Sequence, residues 1–267
     1  MIRIGVVGCA GRMGRIVAGE VLGAADLTLN GGTERAGSDA VGRDLGELLG
    51  RGRLGIAVGD DGRQLFAGAD VVIDFTAPAA VVEHARLAAE SHTAYVVGTT
   101  GLKAEQEATL RQAATTAAIV WAPNMSIGVN LLMSLVERVA AVLDPAGYDV
   151  EIVEMHHRHK VDAPSGTALG LGRAVAAGRG VALEDVWQKT RDGIIGARRA
   201  GDIGFATLRG GDVVGDHSVI FAADGERLEL VHKASSRQVF AKGALRAVRW
   251  IVGRPPGLYS MHDVLGI

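Results

Sequence analysis

At 267 residues, with 48% hydrophobic content and a mean hydropathy of +0.22, the chain has apolar material for one large core or two smaller ones. Its 28 basic and 30 acidic residues leave a formal charge of −2, which excludes a global field for nucleic acid or an anionic membrane, so recognition of an anion has to be local. The single cysteine, Cys9, excludes an internal disulfide, no stretch approaches ~20 uninterrupted apolar residues, and the first strand runs straight into glycines, so a reducing cytoplasm is expected.

In chain order, Ile2 to Val7 reads as a first strand, Arg12 to Leu22 as a helix and Leu27 to Gly31 as a second strand. Val71 to Phe75, Ala94 to Gly98 and Ala118 to Ala122 supply further strands. Pro78 to Glu90 and Lys103 to Thr116 read as the helices between them, the first with proline in its opening turn. Short β-branched runs alternating with Ala/Leu-rich stretches predict an α/β half with a parallel sheet. After a helix from about Gly128 to Leu143 the texture changes. Asp149 to Glu154, Ile203 to Leu208, Ser218 to Ala222 and Arg227 to His232 alternate polar and apolar residues, which predicts a mixed or antiparallel sheet, covered by a helix over Gly166 to Ala177. Phe240 to Val252 is again an apolar helix, able to pack back on the first sheet.

Between the first strand and first helix lies Gly8-Cys9-Ala10-Gly11-Arg12-Met13-Gly14, a glycine turn spaced G-x-x-G-x-x-G where a dinucleotide pyrophosphate meets backbone N–H groups. Glu34 follows Gly14 by twenty residues, just past the second strand, where an acidic group accepts a ribose hydroxyl. Arg35 beside it suits either a 2′-phosphate or a solvated surface, which leaves NADH and NADPH both open. Gly98-Thr99-Thr100-Gly101 ends another strand; its hydroxyls suit a nicotinamide or ribose and equally the cap of the following helix. Ala122-Pro123-Asn124-Met125 ends the last strand of this half, with Asn124 placed to bond a carboxamide or to cap a turn. Cys9, inside the turn, reads as a small packing residue.

The densest chemistry lies in Glu154-Met155-His156-His157-Arg158-His159-Lys160-Val161-Asp162-Ala163-Pro164-Ser165-Gly166-Thr167. Histidines beside a lysine supply proton transfer near neutral pH and a counter-charge for a carboxylate, and the Ser165-Gly166-Thr167 turn opens a helix whose first N–H groups bind anions. The segment therefore predicts an anion site with an acid catalyst. Two rival readings exist: a metal hydrolase built on His157 and His159, for which no further ligand set stands at useful spacing, and a non-catalytic nucleotide sensor, which leaves the histidine and lysine cluster unused.

Taken together, the glycine turn, Asp74-Phe75-Thr76, Gly98-Thr99-Thr100-Gly101, the segment from His156 to Thr167 and His232-Lys233-Ala234-Ser235-Ser236-Arg237 resemble, in order and over essentially the full length, the 4-hydroxy-tetrahydrodipicolinate reductase family. The resemblance implies a Rossmann-like dinucleotide-binding domain over 1–127, completed by 238–267, and a central α+β substrate and oligomerisation domain over 128–237. It implies reduction of a small dicarboxylate, 4-hydroxy-tetrahydrodipicolinate, by NADH or NADPH with loss of water, in a cytosolic homotetramer that engages neither nucleic acid nor membrane. It further implies His156 as general acid, Lys160 as second proton donor, and His157, Ser165, Gly166 and Thr167 as substrate-holding residues. Met125 departs from the pattern, standing where some members carry an aromatic residue.

Overall fold

In the computed structural model, which describes residues 1–267, the β-branched runs of the first half become strands and the Ala-rich stretches between them helices. They are β1 (Ile2–Val7), α1 (Arg12–Leu22), β2 (Leu27–Thr33), α2 (Leu45–Leu48), α3 (Gly62–Gly68), β3 (Val71–Asp74), α4 (Pro78–Ser91), β4 (Ala94–Val97), α5 (Ala104–Ala113) and β5 (Ala118–Trp121). After α6 (Ile127–Val142) come β6 (Asp149–His156), α7 (Gly166–Gly178), α8 (Leu183–Val186), β7 (Trp187–Gln188), β8 (Ile203–Arg209), β9 (Gly215–Ala223) and β10 (Glu226–Ala234). The chain ends with α9 (Gln238–Ile251), β11 (Gly257–Tyr259) and α10 (Met261–Leu265). Two units result, Met1–Ile127 with Arg237–Gly266, and Gly128–Ser236 with Ile267. No helix is long and apolar enough to cross a membrane.

The first unit is a parallel sheet in the order β11-β5-β4-β3-β1-β2. The chain leaves β1 for β2 on one side and returns to β3 on the other, so the carboxyl ends of β1 and β3 flank the switch point where ligands of open α/β sheets bind. Alternate side chains along β1 and β3 serve opposite faces. Ile4, Val6 and Ile73 pack with Val17 of α1 and Val248 of α9, while Val7 and Val72 pack with Phe66 of α3 and Val81 of α4. Arg249 on α9 also clasps Asp26, ahead of β2, at 2.7 and 2.8 Å.

The second unit is a mixed sheet, β10-β9-β6-β8-β7, in which β6 runs antiparallel to β9 and parallel to β8. Val150 and Ile152 of β6 meet Leu171 and Val175 of α7 and Val136 of α6 in its core. Helix α7 starts where Ser165 Oγ accepts the N–H of Ala168 at 3.1 Å.

The elements absent from the sequence reading are short. β11 has three residues beside Pro255 and Pro256 and exists through its pairing with β5. α3 and α10 are likewise too brief for a clear helical period, although Asp61 and Ser260 cap them. The helix expected from Lys103 begins at Ala104, because Lys103 is its N-cap, with its N–H donated to Gln106 Oε1 at 2.8 Å.

Two glycines in α1 separate helix propensity from local space. A Cβ on Gly14 would lie 2.0 Å from the carbonyl oxygen of Gly8, whereas one on Gly19 would meet nothing within 4 Å. Alanine normally favours a helix interior over glycine by roughly 1 kcal/mol, so Gly19→Ala is expected to stabilise by about that much. Gly14→Ala is expected to destabilise by about 2–4 kcal/mol, because backbone has to move. Urea denaturation of both variants checks the opposite signs.

Candidate functional site

Strand periodicity builds the chemistry of the second unit. Residues two apart in a strand share a face, and along β6 the buried phase runs Val150, Ile152, Glu154, His156. The apolar core face thus continues into a carboxylate and an imidazole. Register adds the neighbours: Arg209 of β8 is opposite His156, and His217 of β9 is opposite Glu154.

Glu154, 1% exposed, ties β6 to β8 and to the start of α7. Its Oε2 lies 2.6 Å from His156 Nδ1, its Oε1 accepts the N–H of Ser165 at 3.0 Å, and the Arg209 guanidinium forks onto both oxygens at 2.8 and 2.9 Å. Arg209 also donates to the Asp162 carbonyl at 2.8 Å, which holds the loop carrying Lys160. Burial pushes the Glu154 carboxyl up; the hydrogen bonds from His156, Arg209 and Ser165 outweigh that and hold it down at about 2. A carboxylate only accepts, so Nδ1 of His156 carries a hydrogen and Nε2 is left for chemistry. Beside Nε2 the chain has Gly215, where a Cβ would approach to 3.0 Å.

His217 packs edge-on against His156, ring centroids 5.1 Å apart, with its Nε2 3.1 Å from Ser165 Oγ. Burial, then the neighbouring His156, pull its pKa down to about 4, so it is neutral at pH 7. Lys160 Nζ pairs with both oxygens of Asp162 at 2.7 and 2.8 Å. Ser165 faces inward, its N–H on Glu154 and its hydroxyl in the α7 cap, whereas a Cβ on Gly166 would meet open space. Thr167 follows in the first turn of α7, and the rings of His157 and His159 stand 6.2 Å apart.

In the first unit a cleft of about 650 Å³ opens at the carboxyl ends of β1 and β3, lined among others by Gly8, Gly11, Glu34, Arg35, Thr76 and His84. Gly8 has φ +65°, and a Cβ there would come within 2.7 Å of the Thr76 methyl. Glu34 Oε1 accepts the N–H of Ala10 at 2.8 Å, so the turn already presents a backbone donor to an anionic oxygen. An open cleft, a turn with glycine at both residues that line the cleft and an anion-accepting N–H fit a dinucleotide. Arg12 is exposed; Met13 packs on the core. Cys9 is buried with its Sγ against Gly32, and burial followed by Glu34 pushes its thiol up to about 12, which suits packing and not nucleophilic attack.

The remaining sequence candidates stand at the same sheet edge but outside the lining of this cleft. Gly98, Thr99 and Thr100 follow β4, with the Thr99 hydroxyl turned inward; Ala122, Pro123 and Asn124 follow β5, where Asn124 Oδ1 accepts from Ser126 N at 2.9 Å. Met125 is buried in the core, and its carbonyl lies where a Cβ on Gly243 would be. Glu154, Arg209 and His217 were not read as site residues from sequence. A signal existed for Glu154: in Asp149-Val150-Glu151-Ile152-Val153-Glu154 the alternation breaks at Val153, which leaves a charge on the apolar phase.

Two family models match the chain, dihydrodipicolinate reductase, N-terminus, over residues 2–125 and dihydrodipicolinate reductase, C-terminus, over 128–265. A 4-hydroxy-tetrahydrodipicolinate reductase of Dinoroseobacter shibae is 56% identical over 262 residues, covering 98% of this chain and 97% of the relative. One of Brucella abortus is 54% identical, with 98% of each covered. Among solved structures, a dipicolinate-bound dihydrodipicolinate reductase of Paenisporosarcina is 28% identical with a TM-score of 0.77, covering 98% of each chain. An amine dehydrogenase of Mycobacterium smegmatis, 18% identical with a TM-score of 0.62 over 97% of this chain and 95% of its own, shares the fold.

The depressed Glu154 carboxyl has a measurable consequence. A free glutamate titrates at 4.5 and this one at about 2, so its contribution to stability is complete above pH 4.5 and is lost as pH falls through 2. Glu154→Gln is expected to be less stable than wild type at pH 6, with the gap narrowing by about 2 kcal/mol by pH 3. Urea titrations at both pH values test this, and a gap independent of pH contradicts it.

Proposed function

Because this chain belongs to the dihydrodipicolinate reductase family, we propose that it reduces 4-hydroxy-tetrahydrodipicolinate to tetrahydrodipicolinate with NADH or NADPH, taking up a proton and releasing water. The observation that carries the reading is the Glu154–His156 contact at 2.6 Å, which leaves one imidazole nitrogen as a fixed proton donor in a chain with a dinucleotide-type turn.

NADH or NADPH, when bound, supplies the hydride. The glycine turn from Gly8 to Met13, with Glu34 and Arg35, would hold the pyrophosphate and adenosine ribose. Glu34 suits the hydroxyls of NADH, and Arg35 a 2′-phosphate. The turns after β4 and β5, Gly98 to Thr100 and Ala122 to Met125, would take the nicotinamide end, with the Thr99 hydroxyl and the Met125 side chain turned into the protein.

Reduction of a conjugated imine leaves electron density that must receive a proton, and the donor has to stand within hydrogen-bond reach of the receiving atom. His156 gives that proton from Nε2, while Glu154 retains the hydrogen on Nδ1 and fixes the orientation of the ring. The substrate's two carboxylates need fixed donors. Lys160 exchanges Asp162, an exposed carboxylate, for one of them. Gly166 and Thr167 present the start of α7, where helix N–H groups and the macrodipole favour an anion, and His157 completes the pocket. Ser165 acts from behind by capping α7 and meeting Glu154. The dipicolinate named with the Paenisporosarcina relative is a dicarboxylate of the same kind. The same reading makes the protein a homotetramer assembled through the second unit.

Steady-state oxidation of NADH and NADPH with the substrate generated in situ tests the proposal. Wild type is expected to turn over, His156→Gln to lose about 10²–10⁴-fold in kcat with cofactor affinity kept, and Lys160→Ala to raise the substrate KM. Pyridine-2,6-dicarboxylate should compete with substrate and bind more weakly to Lys160→Ala and Thr167→Val. Absence of substrate-dependent oxidation in wild type contradicts the proposed reaction, and undiminished inhibitor affinity in both variants removes the carboxylate site from this loop.

A further inference from the structure

A second buried carboxylate has no part in the chemistry above. Asp74 ends β3 and is fully buried, in a strand whose other three residues, Val71, Val72 and Ile73, are core. No lysine or arginine bonds it. Five contacts converge on it instead: Thr76 N at 2.7 Å, Thr76 Oγ1 at 2.6 Å and Thr99 Oγ1 at 3.0 Å on Oδ1, with His84 Nδ1 at 2.7 Å and Tyr95 OH at 2.5 Å on Oδ2. Burial works against its ionisation; the His84 hydrogen bond and the other donors prevail and hold the carboxyl below its ordinary range. An apolar residue would cost less at such a place, so the charge points to a geometry that has to be specified.

The residues it holds stand at the sheet edge that carries the dinucleotide cleft, two of them in its lining. Thr76 and His84 line that cleft, and the Thr76 methyl fills the space left by the missing side chain of Gly8. Thr99 follows Gly98, whose N–H donates to the Asp74 carbonyl at 2.8 Å and whose missing side chain admits the Phe75 ring, 2.2 Å from where a Cβ would be. The turn after β3, the turn after β4 and one face of α4 are therefore fixed relative to one another, and to the glycine turn, through one carboxylate.

We propose that Asp74 is a positioning residue for the dinucleotide: by anchoring Thr76 beneath the glycine turn and Thr99 at the end of β4, it sets the affinity of the cleft for NADH and NADPH. This rests on the dinucleotide reading of the cleft but on neither the substrate nor the proton donor. A purely structural Asp74 would lower the melting temperature and leave the affinity of the folded molecules alone.

Fluorescence titration of the full chain with NADH, without substrate, separates the two, with circular dichroism to confirm folding. Thr99→Val is expected to weaken NADH binding about 3–10-fold, an effect of the size of one lost hydrogen bond, and Thr99→Ser to restore it to within about twofold. Asp74→Ala is expected to weaken it about tenfold or more. Adding Thr99→Val to Asp74→Ala should then change affinity by less than about twofold, because Thr99 acts through Asp74. Should Asp74→Ala fail to fold, Thr76→Val and Thr99→Val form the cycle instead. Both hydroxyls bind Oδ1, so their losses should be non-additive. Wild-type affinity in folded Thr99→Val, or strict additivity in the cycle used, overturns the proposal. A wild-type protein that binds neither NADH nor NADPH overturns the dinucleotide reading beneath it.

Discussion

The second unit depends on one buried charge. Taking a carboxylate out of water costs several kcal/mol unless charged partners and hydrogen bonds replace its hydration, and Glu154 has both: an arginine fork, an imidazole and a backbone N–H. Each partner comes from a different part of the chain. Arg209 is the last residue of β8, His156 the last of β6, and Ser165 caps α7. Satisfying Glu154 therefore brings the ring of the proposed acid, the helix start proposed for the carboxylates and, through the Asp162 carbonyl, the lysine loop into one arrangement. Precision of this kind follows from rigid strands and a helix cap, which hold a proton donor better than a loop of mobile histidines would.

Two buried carboxylates thus serve the two units by different means. Asp74 is held by hydroxyls, an imidazole and a backbone N–H, all neutral when His84 is neutral, and it organises backbone turns. Glu154 has a permanent counter-charge in Arg209, and it organises the ring of the proposed acid and the start of α7. The difference is physically apt. A guanidinium beside Glu154 supplies a full counter-charge to a carboxylate that burial would otherwise leave with only an imidazole and an N–H. His217, kept neutral by its burial, adds no further positive charge to the cluster at pH 7.

Much of this was legible in the sequence because it rests on local rules. The strands of the first half, the opening of α1 at Arg12, the mixed sheet and the capping turn at Ser165 follow from β-branched runs, glycine spacing and alternation. β11 and α3 were not legible, since a three-residue strand and a two-turn helix have no period to detect and are stabilised by what they pack against. The histidine and lysine segment was visible as chemistry, yet the residues that orient it were not. Arg209 and His217 reach Glu154 through strand register, a non-local property. Glu154 itself was visible only as a polar residue in an alternating strand, although the break at Val153 puts it on the inward phase. Asp74 was likewise legible as part of a motif and silent as a charge, because its four partner residues, Thr76, His84, Tyr95 and Thr99, are spread along the chain.

The claim on which the chemistry rests is that Glu154 holds a hydrogen on Nδ1 of His156, so that Nε2 is the nitrogen that gains and loses the proton. Long-range heteronuclear NMR of histidine-labelled protein, with the His156 resonances identified by their loss in His156→Gln, reads this directly. Above its titration, His156 is predicted to be the Nδ1–H tautomer, with an unprotonated Nε2. A neutral His156 that retains its proton on Nε2 would contradict the account, because the nitrogen proposed to serve the substrate would then not be the one that titrates.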